Sequence, residues 1–88
     1  VDSFTASSYV YTGGDITLTG KATDNQSGIV AYAFIYGTSF PSYTTITATK
    51  TQITKTTKVK NAGTYHFEVK DAAGYIFKEV PITIIISA

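Results

Sequence analysis

The chain has 88 residues, 43% hydrophobic and 15% charged, with a net charge of +1 and no cysteine. Seven basic residues against six acidic ones leave no electrostatic footprint for nucleic acid or an anionic membrane. The missing cysteines exclude disulfides, thiolate metal sites and cysteine nucleophiles. Globular domains carry about a quarter of their residues as charges, and here threonine, serine and tyrosine fill the shortfall. That composition points to an exported β protein. A bacterial source is the expectation, because small secreted animal domains are more often cross-linked. A chain opening on Val1 reads as an excised module or a processed product. The length suits one small domain over residues 1–88.

Taken in order, "VDSFTASSYVY" (1–11) predicts a first, broken strand. "GG" at 13–14 turns into "DITLTGKAT", where Ile16, Leu18, Gly20 and Ala22 share one face and Thr17, Thr19 and Lys21 the other. "DNQSG" (24–28) is a dense turn cluster. "IVAYAFIY" (29–36) is apolar throughout, which predicts a central strand with its outer face also partly covered. "GTSFPSY" then loops into "TTITAT" and "QITKTTKV". The lysines of that last run alternate with threonines, as on a solvated face that resists edge-to-edge pairing.

"GTYHFEVKD" alternates cleanly, placing Tyr65, Phe67 and Val69 inward and His66, Glu68 and Lys70 outward. "AAG" turns into a last strand, "YIFKEVPITIII", in which Pro81 requires a sheet edge or a bulge. No stretch repeats apolar residues at helical spacing. The run "VPITIII" is too short to cross a bilayer, so no membrane insertion is expected. Together these elements predict an all-β, two-sheet sandwich of about seven antiparallel strands.

"DNQSGIVAYAFI" and "AGTYHFEVKDAAG" resemble the immunoglobulin-like repeats of bacterial secreted and cell-surface proteins. PKD-type repeats share the Gly-Thr-Tyr strand and the Asp-x-x-Gly turn, although their aromatic-Asp-Phe-Gly-Asp stretch is replaced here by "AFIYGTS". The resemblance covers roughly residues 15–75. It implies an immunoglobulin-like sandwich at the bacterial surface or outside the cell, with no catalytic role and no cofactor. The implied partners are neighbouring domains of the same chain, or a protein or glycan at the cell surface. It also places Phe67 where such domains carry a cysteine. Tyr65 then suits a tyrosine corner, and Gly63 allows the backbone geometry just before it. Leu18, Phe34 and Phe67 are the expected apolar plug in place of the disulfide and its tryptophan.

Candidate sites are few. His66 is the only histidine, and an outward mid-strand position gives it neither a pocket nor an orienting carboxylate. Asp24 and Asp71, with Asn25, fall in loops expected at one end of the sandwich. They offer calcium the oxygen ligands it requires, although turn formation is the expected role of both aspartates. Tyr36, Phe40 and Tyr43 bracket the "GTSFPS" loop and offer rings on which a sugar face would stack. The favoured function is a non-catalytic spacer or interaction and adhesion module. A carbohydrate-binding accessory module of a glycosidase or adhesin is the alternative. No nucleophile–base pair, catalytically spaced carboxylate pair or phosphate-binding glycine loop argues for an enzyme.

Overall fold

Alternation of apolar and polar residues sets which side chains of each strand reach the core. The computed structural model describes residues 2–38, 42–78 and 81–86. Among these there is no helix, and nine strands form: β1 (Ser3–Ala6), β2 (Val10–Tyr11), β3 (Ile16–Ala22), β4 (Ile29–Tyr36), β5 (Thr44–Thr49), β6 (Ile53–Val59), β7 (Gly63–Asp71), β8 (Ile76–Lys78) and β9 (Ile82–Ile86). One sheet has the order β1-β3-β6. The other has the order β2-β9-β7-β4-β5, with β8 also beside β7. The chain is therefore all-β, with two sheets sharing a core.

Two features correct the expected seven antiparallel strands. The first strand divides: β1 pairs with β3 in one sheet, and β2 pairs with β9 in the other. Because β2 and β9 run in the same direction, that pair is parallel. Ser8 shapes the crossing, its hydroxyl accepting from the Val10 amide at 3.2 Å. The last strand divides too. Between the pairs Glu68↔Lys78 and Tyr65↔Ile82, β7 advances three residues while its partner advances four. Pro81 lies exposed in that interval, outside either strand.

The core centres on β3 and β7. Leu18 and Phe67 have no exposed surface, and Ile29, Val69 and Ile84 are nearly as closed. Phe67 packs its ring 5.0 Å from Phe34 and 5.9 Å from Phe4. Phe34 is only partly buried, because the facing sheet has three strands and does not cover all of β4. Lys55 of β6 compensates by reaching over the Tyr32 ring, its Nζ 5.3 Å from the centroid. That places Lys55 on the inner side of an edge strand, rather than on a solvated face. An inward lysine there also discourages pairing with another chain. On the opposite side of β4, Ala31, Ala33 and Ile35 are buried.

At the start of β7, the Tyr65 hydroxyl donates to the Asn61 carbonyl at 2.7 Å while its ring sits in the core. Gly63 adopts φ of 142° just before it, and a Cβ there would meet the Tyr36 ring at 2.7 Å. Tyr36 covers that glycine and donates to the Ala62 carbonyl at 2.8 Å. The loop that enters β7 is thus fixed by two tyrosines. Tyr65→Phe, which removes one bond and little volume, is expected to cost about 1 kcal/mol. A lower urea midpoint with an unchanged slope checks it.

The path of the chain runs from one end of the body to the other. Asp2 lies at the end where β3 finishes: its amide donates to the Lys21 carbonyl at 2.7 Å. Its carboxylate accepts from Thr23 at 2.6 Å and Gln52 at 2.9 Å. Ile86 lies at the opposite end, paired with Tyr11 beyond the start of β7. The body measures 46 × 23 × 18 Å.

Candidate functional site

Two concave surfaces concentrate the polar chemistry of the chain. The first is a cleft of about 630 Å³ between the β3–β4 loop and the β7–β8 turn. Its floor is apolar, formed by Ile29, Val69 and Phe77. Asp24 organises one wall: its Oδ1 accepts from the amides of Gln26 at 3.0 Å and Ser27 at 3.1 Å, and its Oδ2 from the Ser27 hydroxyl at 3.2 Å. Asp71 organises the other, accepting from the Tyr75 amide at 2.8 Å. The Ala72 amide donates to the Gly28 carbonyl at 2.9 Å and ties the two walls together.

Asp24 and Asp71 therefore do come together, as facing walls of one cleft. Each is also occupied as a turn former. Asn25 is exposed on the same wall. Among the described residues, no third histidine, cysteine, aspartate or glutamate joins them in a metal-binding cluster. The Gln26 amide, chiefly, holds the Asp24 carboxyl below its ordinary range; partial desolvation opposes this, and Ser27 and Asp71 add to the lowering. The Thr23 and Gln52 bonds act similarly on Asp2.

A carboxyl whose folded value is depressed adds stability above its unfolded value, about 3.9 for aspartate. That stability disappears as pH falls through the lower folded value. The urea midpoint is thus expected to hold down to about pH 4 on account of these two groups and to fall below it. Asp24→Ala should flatten that acid step, which a midpoint series against pH measures.

The second surface is a shallow groove of about 570 Å³ on the outer face of the larger sheet, lined by Ile35, Tyr43, His66, Glu68, Ile76 and Lys78 among others. Glu68 is 7% exposed although it points away from the core. Tyr43 covers it, donating to Glu68 Oε1 at 2.8 Å across the small side chain of Ala33. Lys78 stands 3.9 Å from Oε2. Burial, then the Glu68 hydrogen bond and charge, push the Tyr43 phenol up to about 12. His66 is half-buried beside this pair. His66 points outward as expected and has no orienting carboxylate, since Glu68 is engaged by Tyr43 and Lys78, but it does line a groove. The reason is the loop before β5, which lays Tyr43 over a face that the strand pattern alone leaves open.

The three aromatics proposed for sugar stacking do not form one platform among the described residues. Tyr36 stands on the inner side of β4, its ring 5.0 Å from Tyr65. Tyr43 lies on the outer side, with Lys70 Nζ 4.6 Å above its ring. Phe40 lies outside the described residues. The exposed rings that the sequence reading passed over are Tyr75, 68% exposed, and Phe77, 42% exposed, both at the cleft. No protein family, no curated protein and no solved structure matches the chain.

Proposed function

We propose that this chain is a non-catalytic, immunoglobulin-like module of a larger exported bacterial protein, serving as a spacer that also presents one loop end to a partner. The observation that carries this reading is the path of the chain. Asp2 and Ile86 lie at opposite ends of a body 46 Å long. A module so threaded joins its neighbours end to end and sets the distance between them. A fold whose termini lie side by side adds a branch instead.

Other features support the same reading. Two sheets of order β1-β3-β6 and β2-β9-β7-β4-β5 are compatible with an immunoglobulin-type sandwich, with β1 and β2 taken as one strand crossing between sheets. The tyrosine bonded to backbone at the start of β7 supports it too. The low charge and absence of cysteine suit a cell-surface or secreted bacterial setting.

Two copies of the chain fused head to tail test the reading by small-angle X-ray scattering. The spacer reading requires a maximum dimension close to that of two 46 Å bodies laid end to end. A pair folded side by side, little longer than a single copy, would refute it.

A further inference from the structure

The cleft between the β3–β4 loop and the β7–β8 turn joins three properties that a passive spacer does not need. First, it exposes aromatic surface: Tyr75 is 68% and Phe77 42% exposed, and both line it. Isolated apolar residues on a surface are ordinary, but two rings two positions apart that line the same concave site form one surface. Second, the facing wall carries Asn25 and Gln26, both exposed, and neither carboxamide bonds another described side chain. Each offers a donor pair and an acceptor. Third, the walls are already fixed by the Ala72–Gly28 backbone bond and by the two aspartate-centred turns. A ligand entering here meets little ordering cost.

These properties decide the chemistry of the occupant. Asp24 and Asp71 direct their oxygens into their own turns, and no basic residue lines the cleft. The site therefore repels anions. What it leaves open is neutral: aromatic faces on one side and carboxamides on the other. A pyranose ring has the matching pair of surfaces, with apolar C–H faces and hydroxyls that both donate and accept around its rim. The cleft volume of about 630 Å³ falls within the range of small-ligand sites.

We infer that this cleft is a carbohydrate site that takes a short stretch of a neutral glycan, with Tyr75 and Phe77 as the stacking surface and Asn25 and Gln26 as the hydroxyl partners. This assigns sugar binding to residues at the loop end, away from Tyr36 and Tyr43. It is independent of the spacer reading, because the length of a tandem pair does not depend on whether the cleft binds.

The test is NMR mapping of backbone amides on the intact chain at millimolar oligosaccharide. The probes are β-1,4-linked glucose, β-1,4-linked N-acetylglucosamine and α-1,4-linked glucose oligomers, with oligogalacturonate as the anionic control. The site requires saturable shifts confined to residues 24–28 and 72–77 with at least one neutral oligomer, and none with oligogalacturonate. Tyr75→Ala and Asn25→Ala should each weaken that binding about tenfold and leave the melting temperature unchanged, since both side chains are exposed. Silence from all three neutral oligomers would overturn the inference. So would shifts centred on Tyr36 or Tyr43, or preference for the anionic oligomer. Shifts at Asp24 and Asp71 on adding calcium alone, with no sugar response, would assign the cleft to a cation instead.

Discussion

Phe67→Ala is expected to remove about 3–5 kcal/mol of stability, a large part of what so small a domain has. Phe67 has no exposed surface and contacts both sheets, through Phe34 on β4 and Phe4 on β1. The chain has no cysteine, so no disulfide holds the sheets together in place of that ring. The cost has two parts, lost transfer energy and a cavity that strands hydrogen-bonded on either side cannot collapse to fill. Against roughly 0.05–0.15 kcal/mol per residue of total stability, that loss is a large fraction of what an 88-residue chain has. Urea unfolding followed by circular dichroism measures it. Phe67→Leu, which keeps much of the volume, should retain a cooperative transition. If Phe67→Ala melts within a few degrees of the parent chain, the ring is not the plug described here.

Gly20→Ala carries the second large effect, because it attacks the same ring from the facing sheet. A Cβ at Gly20 would sit 2.5 Å from Cδ2 and Cε2 of Phe67 and 2.6 Å from its Cγ. The ring is fully enclosed and cannot swing aside. Either the ring leaves its rotamer or the sheets separate locally, and such overpacking costs about 1–3 kcal/mol. The double mutant Gly20→Ala/Phe67→Leu sharpens the point. If the clash is the cause, the alanine costs less when leucine faces it, and the cycle shows a coupling of about 0.5 kcal/mol or more. Strict additivity would mean that Gly20→Ala acts through strand propensity alone.

Much of the fold was legible in the sequence because its strands obey a period of two. Ile16, Leu18 and Ala22, and likewise Tyr65, Phe67 and Val69, lie in the core as their alternation requires. The unbroken apolar run of β4 correctly announced a strand covered on both faces. Pattern fails where a side chain's surroundings depend on how far the opposite sheet extends. Lys55 turns inward and Phe34 stays partly open for that reason, and Phe77 is exposed although it pairs with buried Val69. Strand pairing is equally silent in the alternation, so the sheet change between β1 and β2 and its parallel pair could not be read.

The candidate site divides the same way. Asp24 and Asp71 were recognisable as loop residues of one end, because turn chemistry is local. The contact between Tyr43 and Glu68 spans 25 positions, and nothing in either strand's pattern marks it. The exposure of Tyr75 and Phe77 depends on the tertiary arrangement that opens the cleft between two loops.

The central claim is that the chain enters this body at one end and leaves it at the other. Spin labels at Lys21→Cys and Ile86→Cys test it directly, since the chain has no cysteine to compete and both positions are exposed. Lys21 marks the end beside Asp2, and Ile86 the opposite end. Pulsed electron–electron resonance should return a single narrow distance of about 25 Å. Gly20 faces Phe67, while Ile86 lies two residues beyond the Gly63–Ile84 pair, some seven strand residues away at about 3.3 Å each. A distance of about 15 Å or less, a few residues of strand, would place both positions at one end and contradict the spacer account.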